Sequence, residues 1–250
     1  LDWSTKAGIG YNKFFTFGNQ ADVNTIDLLH AWKDDAHIRA IVAYCEAITD
    51  GAQFMQVAEE TAHVKPVIII KSGTTAAGAK AASSHTGSLA GSDAAYDAAF
   101  KQSGVIRART VQEFFDYAIA FAYQPLPKGK RICIVTNAGG PGILCTDAAE
   151  RAGLQLAKLD PGTVEKLKAQ LPAAASVNNP VDVLGDAKAA VYDFAISTLI
   201  DDPNIDGIIT IVTPQTSTEI PETAQAVVDI SRKTDKPIIA CFMGGTLMAA

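Results

Sequence analysis

The chain has 250 residues, of which 48% are hydrophobic and 19% charged, and it carries a net charge of −6 at pH 7. That length supports a large core in one or two domains, and an acidic chain without a basic block argues against nucleic acid or an anionic membrane surface as a partner. No apolar run nears the roughly 18 residues needed to span a bilayer, and no signal peptide opens the sequence, so a cytoplasmic protein is expected.

Leu1 to Ala7 reads as the end of a helix, with Gly8 and Gly10 as stop signals, and a chain that opens this way suggests an element upstream. Lys13 to Phe17 is predicted as a short strand, Gly18 to Asp22 as a loop, and Val23 to Lys33 as a helix ended by Asp34-Asp35. A buried strand from Ile38 to Cys45 runs into Glu46. Gly51 to His63 is helical, and Lys65-Pro66 introduces the apolar strand Val67 to Lys71. A stretch rich in small residues and hydroxyls then holds His85. A helix over Asp93 to Gln102, a short strand at Val105-Ile106 and a helix over Val111 to Phe121 follow.

Gln124 to Lys130 holds Pro125 and Pro127 and reads as a linker. Beyond it the alternation restarts. Strands are predicted at Arg131 to Thr136, Leu154 to Leu156, Ile208 to Val212 and Pro237 to Phe242. Helices are predicted from about Ile143 to Ala152, Pro161 to Gln170, Ala187 to Leu199 and Glu222 to Lys233, with Asn178 to Asp182 as a loop. Asp34 to Val42 matches Asp201 to Ile209, and each copy is followed by a helix and then a Lys-Pro pair, Lys65-Pro66 or Lys236-Pro237. This internal repeat predicts two α/β, doubly wound, mainly parallel-sheet flavodoxin-like modules, 1–124 and 128–250. Ligands then belong at the C-terminal strand ends, where Glu46, the His85 loop, Asn137 to Gly142 and Thr213 to Gln215 lie.

His85 stands among hydroxyls and glycines where a helix starts. Unprotonated imidazole is a nucleophile, and the anion formed by its phosphorylation needs N–H donors such as those of Thr86, Gly87 and Ser88. A merely exposed or structural histidine is the alternative. Gly139-Gly140-Pro141-Gly142 lets a backbone approach a phosphate, and it equally suits a tight turn without a ligand. Glu46 is placed either to orient an imidazole or as an exposed strand-end acid. Gly73 to Lys80 fails as a P-loop because Ala79 stands where the motif needs lysine. Ser88 lacks the GxSxG context of a hydrolase nucleophile. Cys45, Cys133, Cys145 and Cys241 lack paired metal spacing and read as reduced thiols, and no metal site is suggested.

The run from Lys71 through Ser83-Ser84-His85-Thr86-Gly87-Ser88 to Ser92 resembles the phosphohistidine segment of the ADP-forming acyl-CoA (acetyl-CoA) synthetases, relatives of succinyl-CoA synthetase. Gly18 to Val23, Thr136 to Gly142, Asn179 to Val183 and Gly185 to Ala187 match the same family in the same order. The resemblance implies that phosphate attacks an acyl-CoA, the acyl phosphate phosphorylates His85, and the phosphohistidine converts ADP to ATP. It implies Glu46 as the acid that orients His85. Thr86, Gly87, Ser88, Asn137, Gly139, Gly140 and Gly142 are then the phosphate-binding set, with the helix near Gly140 as a phosphate-holding helix. CoA, ADP or ATP and Mg2+ are expected for the full enzyme, none bound by this part alone. Partners are expected to be a CoA-binding Rossmann module and an ATP-grasp module, in the same chain or another subunit, in an oligomer. The preceding strand and the final elements are missing from the family pattern, so the stretch reads as an excised middle part, inactive alone. Competing readings are a ligand-sensing region of a GNAT-type protein lysine acetyltransferase, against which His85 weighs, and an FMN-binding module.

Overall fold

The computed structural model describes residues 4–5, 8–18, 20, 22–75, 77–78, 80 and 92–245, and every strand ladder among them is parallel. The chain divides into two units, Leu1–Tyr123 and Gln124–Ala250. Among the described residues, no helix is long and apolar enough to cross a membrane.

In the first unit β1 (Ile41–Cys45), β2 (Val67–Lys71) and β3 (Ile106–Ala108) form a sheet in that order, with Cys45 opposite Lys71. The alternation of side chains sends Val67 and Ile69 to one face, where they meet α1 (Thr25–Trp32), α2 (Gly51–Ala62) and α3 (Asp93–Gln102) through Leu29, Phe54 and Phe100. Helix α4 (Val111–Tyr123) packs on the same strands from the other side, over the buried Ile68. The helix starts follow local chemistry. Asn24 and Asp27 form a reciprocal capping box on α1, Asp50 accepts from the Gln53 N–H on α2, and Ser92 accepts from the Ala95 N–H on α3.

The repeat seen in the sequence builds the same corner twice. Lys65, buried, donates from Nζ to the carbonyls of Trp32, Asp35 and Ile38 at 3.0, 2.8 and 3.0 Å. Its counterpart Lys236 donates to the Asp202 carbonyl. The Ile41 N–H bonds the Pro66 carbonyl and the Ile208 N–H bonds that of Pro237, both at 2.9 Å. Lys65 thus satisfies three carbonyls and Lys236 one at the turn before the strand, and in both copies the second residue of the Asp-Asp pair supplies an accepting carbonyl.

Lys13 to Phe17 is not a strand. Among the described residues no strand lies beside it, and an extended segment without a neighbour has no ladder for its N–H and C=O groups. Tyr11 to Lys13 and Arg39 to Val42 share in lining a cavity of about 370 Å³.

In the second unit β4 (Arg131–Thr136) is central. It pairs with β7 (Gly207–Val212) on one side, and β7 pairs with β8 (Ile238–Phe242). On its other side β4 pairs first with β5 (Gln155–Leu156) and then with β6 (Val181–Asp182). Helices α6 (Pro161–Gln170), α7 (Ala189–Ile200) and α8 (Ile220–Ser231) cover one face through Leu167, Tyr192, Ile196 and Ile230. Helix α5 (Gly139–Arg151) covers part of the other through Ala149. Two expectations are corrected here. Val181–Asp182 is a strand, too short to show a period. Helix α5 starts at Gly139 rather than near Ile143, because a first turn needs no apolar stripe and tolerates Pro141, whose missing N–H would have no partner there.

Asn179 completes the sheet where β5 gives way to β6. Its Nδ2 donates to the carbonyls of Ile132 and Ala157 at 2.7 and 3.1 Å, and its Oδ1 accepts the Ile134 N–H at 3.0 Å. A carboxamide here stands in for a missing stretch of backbone. Replacing Asn179 by Ala is expected to lower stability by about 2–3 kcal/mol, since the Ile134 N–H and the Ala157 carbonyl lose their partner, while the Ile132 carbonyl keeps the Ala157 N–H. Denaturant unfolding at equilibrium measures this, with Asn179→Asp at least as destabilising, because its second carboxylate oxygen would face the Ile132 and Ala157 carbonyls.

Candidate functional site

In the first unit the candidate among the described residues is Glu46, at the C-terminal end of β1. Glu46 follows β1 directly and is half-buried, with the Tyr44 hydroxyl in long contact with its Oε1 at 3.5 Å. The turn after it is held by Gln20, whose Nε2 donates to the Ala47 carbonyl at 3.3 Å and whose backbone sits at φ 56°. Gln20 thus acts as a strut, a role that its sequence alone did not disclose. Burial pushes the Cys45 thiol up, so it stays protonated and is no nucleophile at neutral pH.

Lys71 is 5% exposed. Its ammonium donates to the Ser72 carbonyl and stands 4.6 Å from the centre of the Tyr96 ring. Burial, more than any neighbour, moves its pKa below the usual lysine value. Beside it Arg107 bridges Asp93 and Asp97 of α3, and Arg109 pairs with Asp97, which ties the start of α3 to β3. His85, Thr86, Gly87 and Ser88 lie outside the described residues.

In the second unit the site lies where β4 sends the chain first to β5 and later to β7, the kind of switch point at which open parallel sheets bind ligands. Asn137, 3% exposed, has its carboxamide engaged: Nδ2 donates to the Thr213 carbonyl at 2.9 Å, and Oδ1 accepts the Thr213 N–H and hydroxyl at 2.8 and 3.0 Å. It therefore clamps the end of β4 to the end of β7. Thr136 Oγ1 accepts the Ala138 N–H at 3.1 Å and donates to the Ala138 carbonyl at 2.9 Å, folding the turn into α5. Gly142 is buried, and a Cβ there would stand 3.0 Å from Thr136 Cγ2, so its missing side chain lets α5 seat on β4. Asp182 accepts the Leu184 N–H at 2.9 Å, holding the loop after β6 beside Gly139.

Gly139 and Gly140 differ from these. Both are exposed in the first turn of α5, and a Cβ on Gly140 would meet nothing within 4 Å. No N-cap side chain bonds the start of α5, α7 or α8, whereas α1, α2, α3 and α6 each have such a cap, and of the three uncapped helices only α5 begins with exposed glycines. Open N–H groups at the positive end of a helix form a seat for an oxyanion. Among the described residues, no group of three or more His, Cys, Asp or Glu is placed to hold a metal ion.

The same two units appear in known proteins. Residues 1–121 match the model of the succinyl-CoA ligase like flavodoxin domain, and residues 132–249 match that of the Ligase-CoA domain. Together the two models span nearly the whole chain, which belongs to the succinyl-CoA ligase-like family that they describe. It is 44% identical to subunit alpha of an ADP-forming acetate–CoA ligase II from Pyrococcus furiosus, over 96% of this chain and 53% of that one. It is 42% identical to an ADP-forming acetate–CoA ligase I from Archaeoglobus fulgidus, over 98% of this chain and 35% of that one. The structure superposes with a TM-score of 0.93 on a dinucleotide-forming acetyl-coenzyme A synthetase 1 from Ca. Korarchaeum cryptofilum in complex with phosphate and ADP. That protein is 34% identical, and the match covers 99% of this chain and 54% of that one. The chain thus spans about a third to a half of the length of these family members.

Proposed function

We propose that this chain is the phosphohistidine-bearing core of an enzyme that converts acyl-CoA, ADP and phosphate to carboxylic acid, CoA and ATP. The observation that carries the reading is the uncapped, glycine-lined start of α5 at the switch point of the second sheet, in a chain so similar to a synthetase described with phosphate and ADP. Phosphate seated at Gly139 and Gly140 attacks the thioester carbonyl. A C–O bond forms, the C–S bond breaks, and CoA leaves as the thiol. A neutral imidazole nitrogen of His85 then attacks phosphorus, the P–O bond to the acyl group breaks, and the carboxylate departs with the electron pair. The other ring nitrogen keeps its proton and donates it in a hydrogen bond to Glu46, which fixes the tautomer. Thr86, Gly87 and Ser88 supply N–H donors to the phosphoryl group, and Asn137 and Gly142 hold the seat in shape. The phosphoryl group passes finally to ADP.

In this reading CoA, the nucleotide and its Mg2+ are bound by a CoA-binding Rossmann module and an ATP-grasp module, either fused to this chain or in a partner subunit. The full-length protein, with that subunit if it is separate, is tested by incubation with Mg2+ and ATP labelled at the γ-phosphate. Acid-labile, alkali-stable label on the peptide containing His85, discharged by carboxylate and CoA, is the expected result. Label on another residue, or none, overturns the proposal.

A further inference from the structure

Asp182 is the group beside the start of α5 that the reaction as written leaves unused. Its backbone is fixed on both sides, by the ladder with Thr136 of β4 and by two bonds of 3.0 Å to Ser176. Its Oδ1 is committed too. It accepts the Leu184 N–H at 2.9 Å where that residue turns through φ 74°, a left-handed conformation that a branched side chain rarely adopts. Its Oδ2 is not committed: among the described residues no donor or cation meets that oxygen, and Lys188, further along the same loop, pairs with Glu219. Oδ2 stands 3.8 Å from where a Cβ of Gly139 would lie. On a helix that direction leans toward the N-terminus, the side on which the first N–H groups open. The first turn of α5 offers two such groups. Pro141 has no N–H, and the Gly142 N–H is taken by the Ala138 carbonyl at 3.2 Å, which leaves Gly139 and Gly140.

From this placement we infer that Asp182 is a specificity-determining residue: its Oδ2 accepts the hydrogen bond of a P–OH group, so the seat takes a protonated tetrahedral oxyanion and rejects one that carries no proton. The inference rests on the function proposed above, which seats phosphate at Gly139 and Gly140. Near neutral pH phosphate and arsenate each carry at least one proton, and sulfate carries none. An anion held by the two N–H groups stands beside a carboxylate oxygen that cannot turn away. Their repulsion is offset where a proton lies between them, and a site built to pair with a substrate hydroxyl rejects the isostere that lacks it by a large factor. The same bond keeps the unprotonated oxygens away from Asp182, so that one of them is the attacking nucleophile.

The test follows phosphate-dependent release of CoA from acetyl-CoA by the full-length protein, with the partner subunit if it is separate, in competition with sulfate. In the unaltered protein arsenate is expected to replace phosphate, and the sulfate Ki to lie at least about 100-fold above the phosphate KM. Asp182→Asn retains an oxygen for the Leu184 N–H and puts an NH2 group in the place of Oδ2, so the loop is kept while a donor now faces the anion. Its ratio of sulfate Ki to phosphate KM is expected to fall at least about 10-fold. An aspartate that only holds the Leu184 turn would leave that ratio in place. An unchanged ratio in Asp182→Asn, or a sulfate Ki in the unaltered protein equal to the phosphate KM, overturns the inference alone. If Asp182→Asn does not fold, the sulfate Ki of the unaltered protein still decides. Absence of label on His85 in the experiment above overturns the inference together with the function.

Discussion

With His85 replaced by Asn, the full-length protein is expected to lose ATP formation from acyl-CoA, phosphate and ADP by at least about 10⁴-fold, the scale on which a covalent nucleophile matters. The carboxamide keeps polarity and approximate size but has no basic ring nitrogen to attack phosphorus. A partial reaction makes the prediction sharper. In the proposed sequence His85 acts only after the acyl phosphate has formed, so phosphate-dependent release of CoA from acyl-CoA should persist in His85→Asn. Thiol release measured beside ATP formation separates a lost nucleophile from a collapsed site. Retention of ATP formation in His85→Asn would sink the mechanism, and loss of both activities in a folded protein would place His85 at the earlier step.

The second expected result has opposite signs on stability and activity. Gly140→Asp should leave the melting temperature unchanged or raise it, while the apparent affinity for phosphate falls about 100-fold, as a like charge held close to a dianion in a partly desolvated seat requires. Room exists for the side chain, since a Cβ at Gly140 meets nothing within 4 Å. A carboxylate in the first turn of α5 also interacts favourably with the helix dipole by about 0.3–1 kcal/mol, and replacing a helical glycine recovers some conformational entropy. The neutral Gly140→Asn variant isolates the charge. Thermal unfolding and the phosphate KM, measured together, decide the matter: an unchanged phosphate KM in Gly140→Asp means that phosphate sits elsewhere.

Much of the molecule was legible before any coordinates. The apolar runs at Ile41–Cys45, Val67–Lys71, Arg131–Thr136 and Gly207–Val212 are the strands, because parallel strands are buried on both faces and read as continuous hydrophobic stretches. The short spacing between them admits crossover helices and little else, and the Asp-Asp and Lys-Pro repeat doubles the plan. Reading failed where pairing decides structure. Lys13 to Phe17 has strand composition but no neighbour among the described residues, whereas Val181–Asp182 lacks strand length but lies against β4.

The candidate site divides along the same line. Sequence alone determined the residue types that phosphoryl chemistry requires, namely a histidine among small residues and hydroxyls, a glycine-rich helix start and an acid at a strand end. Their order along the chain was enough to show the family resemblance. Tertiary structure decided which of these side chains remain open to a ligand. Asn137 looked like a phosphate ligand, yet its carboxamide is held by Thr213, 76 residues away, and Asn179 is held by Ile132, 47 residues away. Gly142 serves helix packing, while Gly139 and Gly140 stay exposed in the same turn. Lys71 looked like the last residue of a strand and is a buried cation beside Cys45 and Tyr96. Such roles depend on partners remote along the chain, and a hydrogen bond across the fold leaves no periodic trace in the residues that form it.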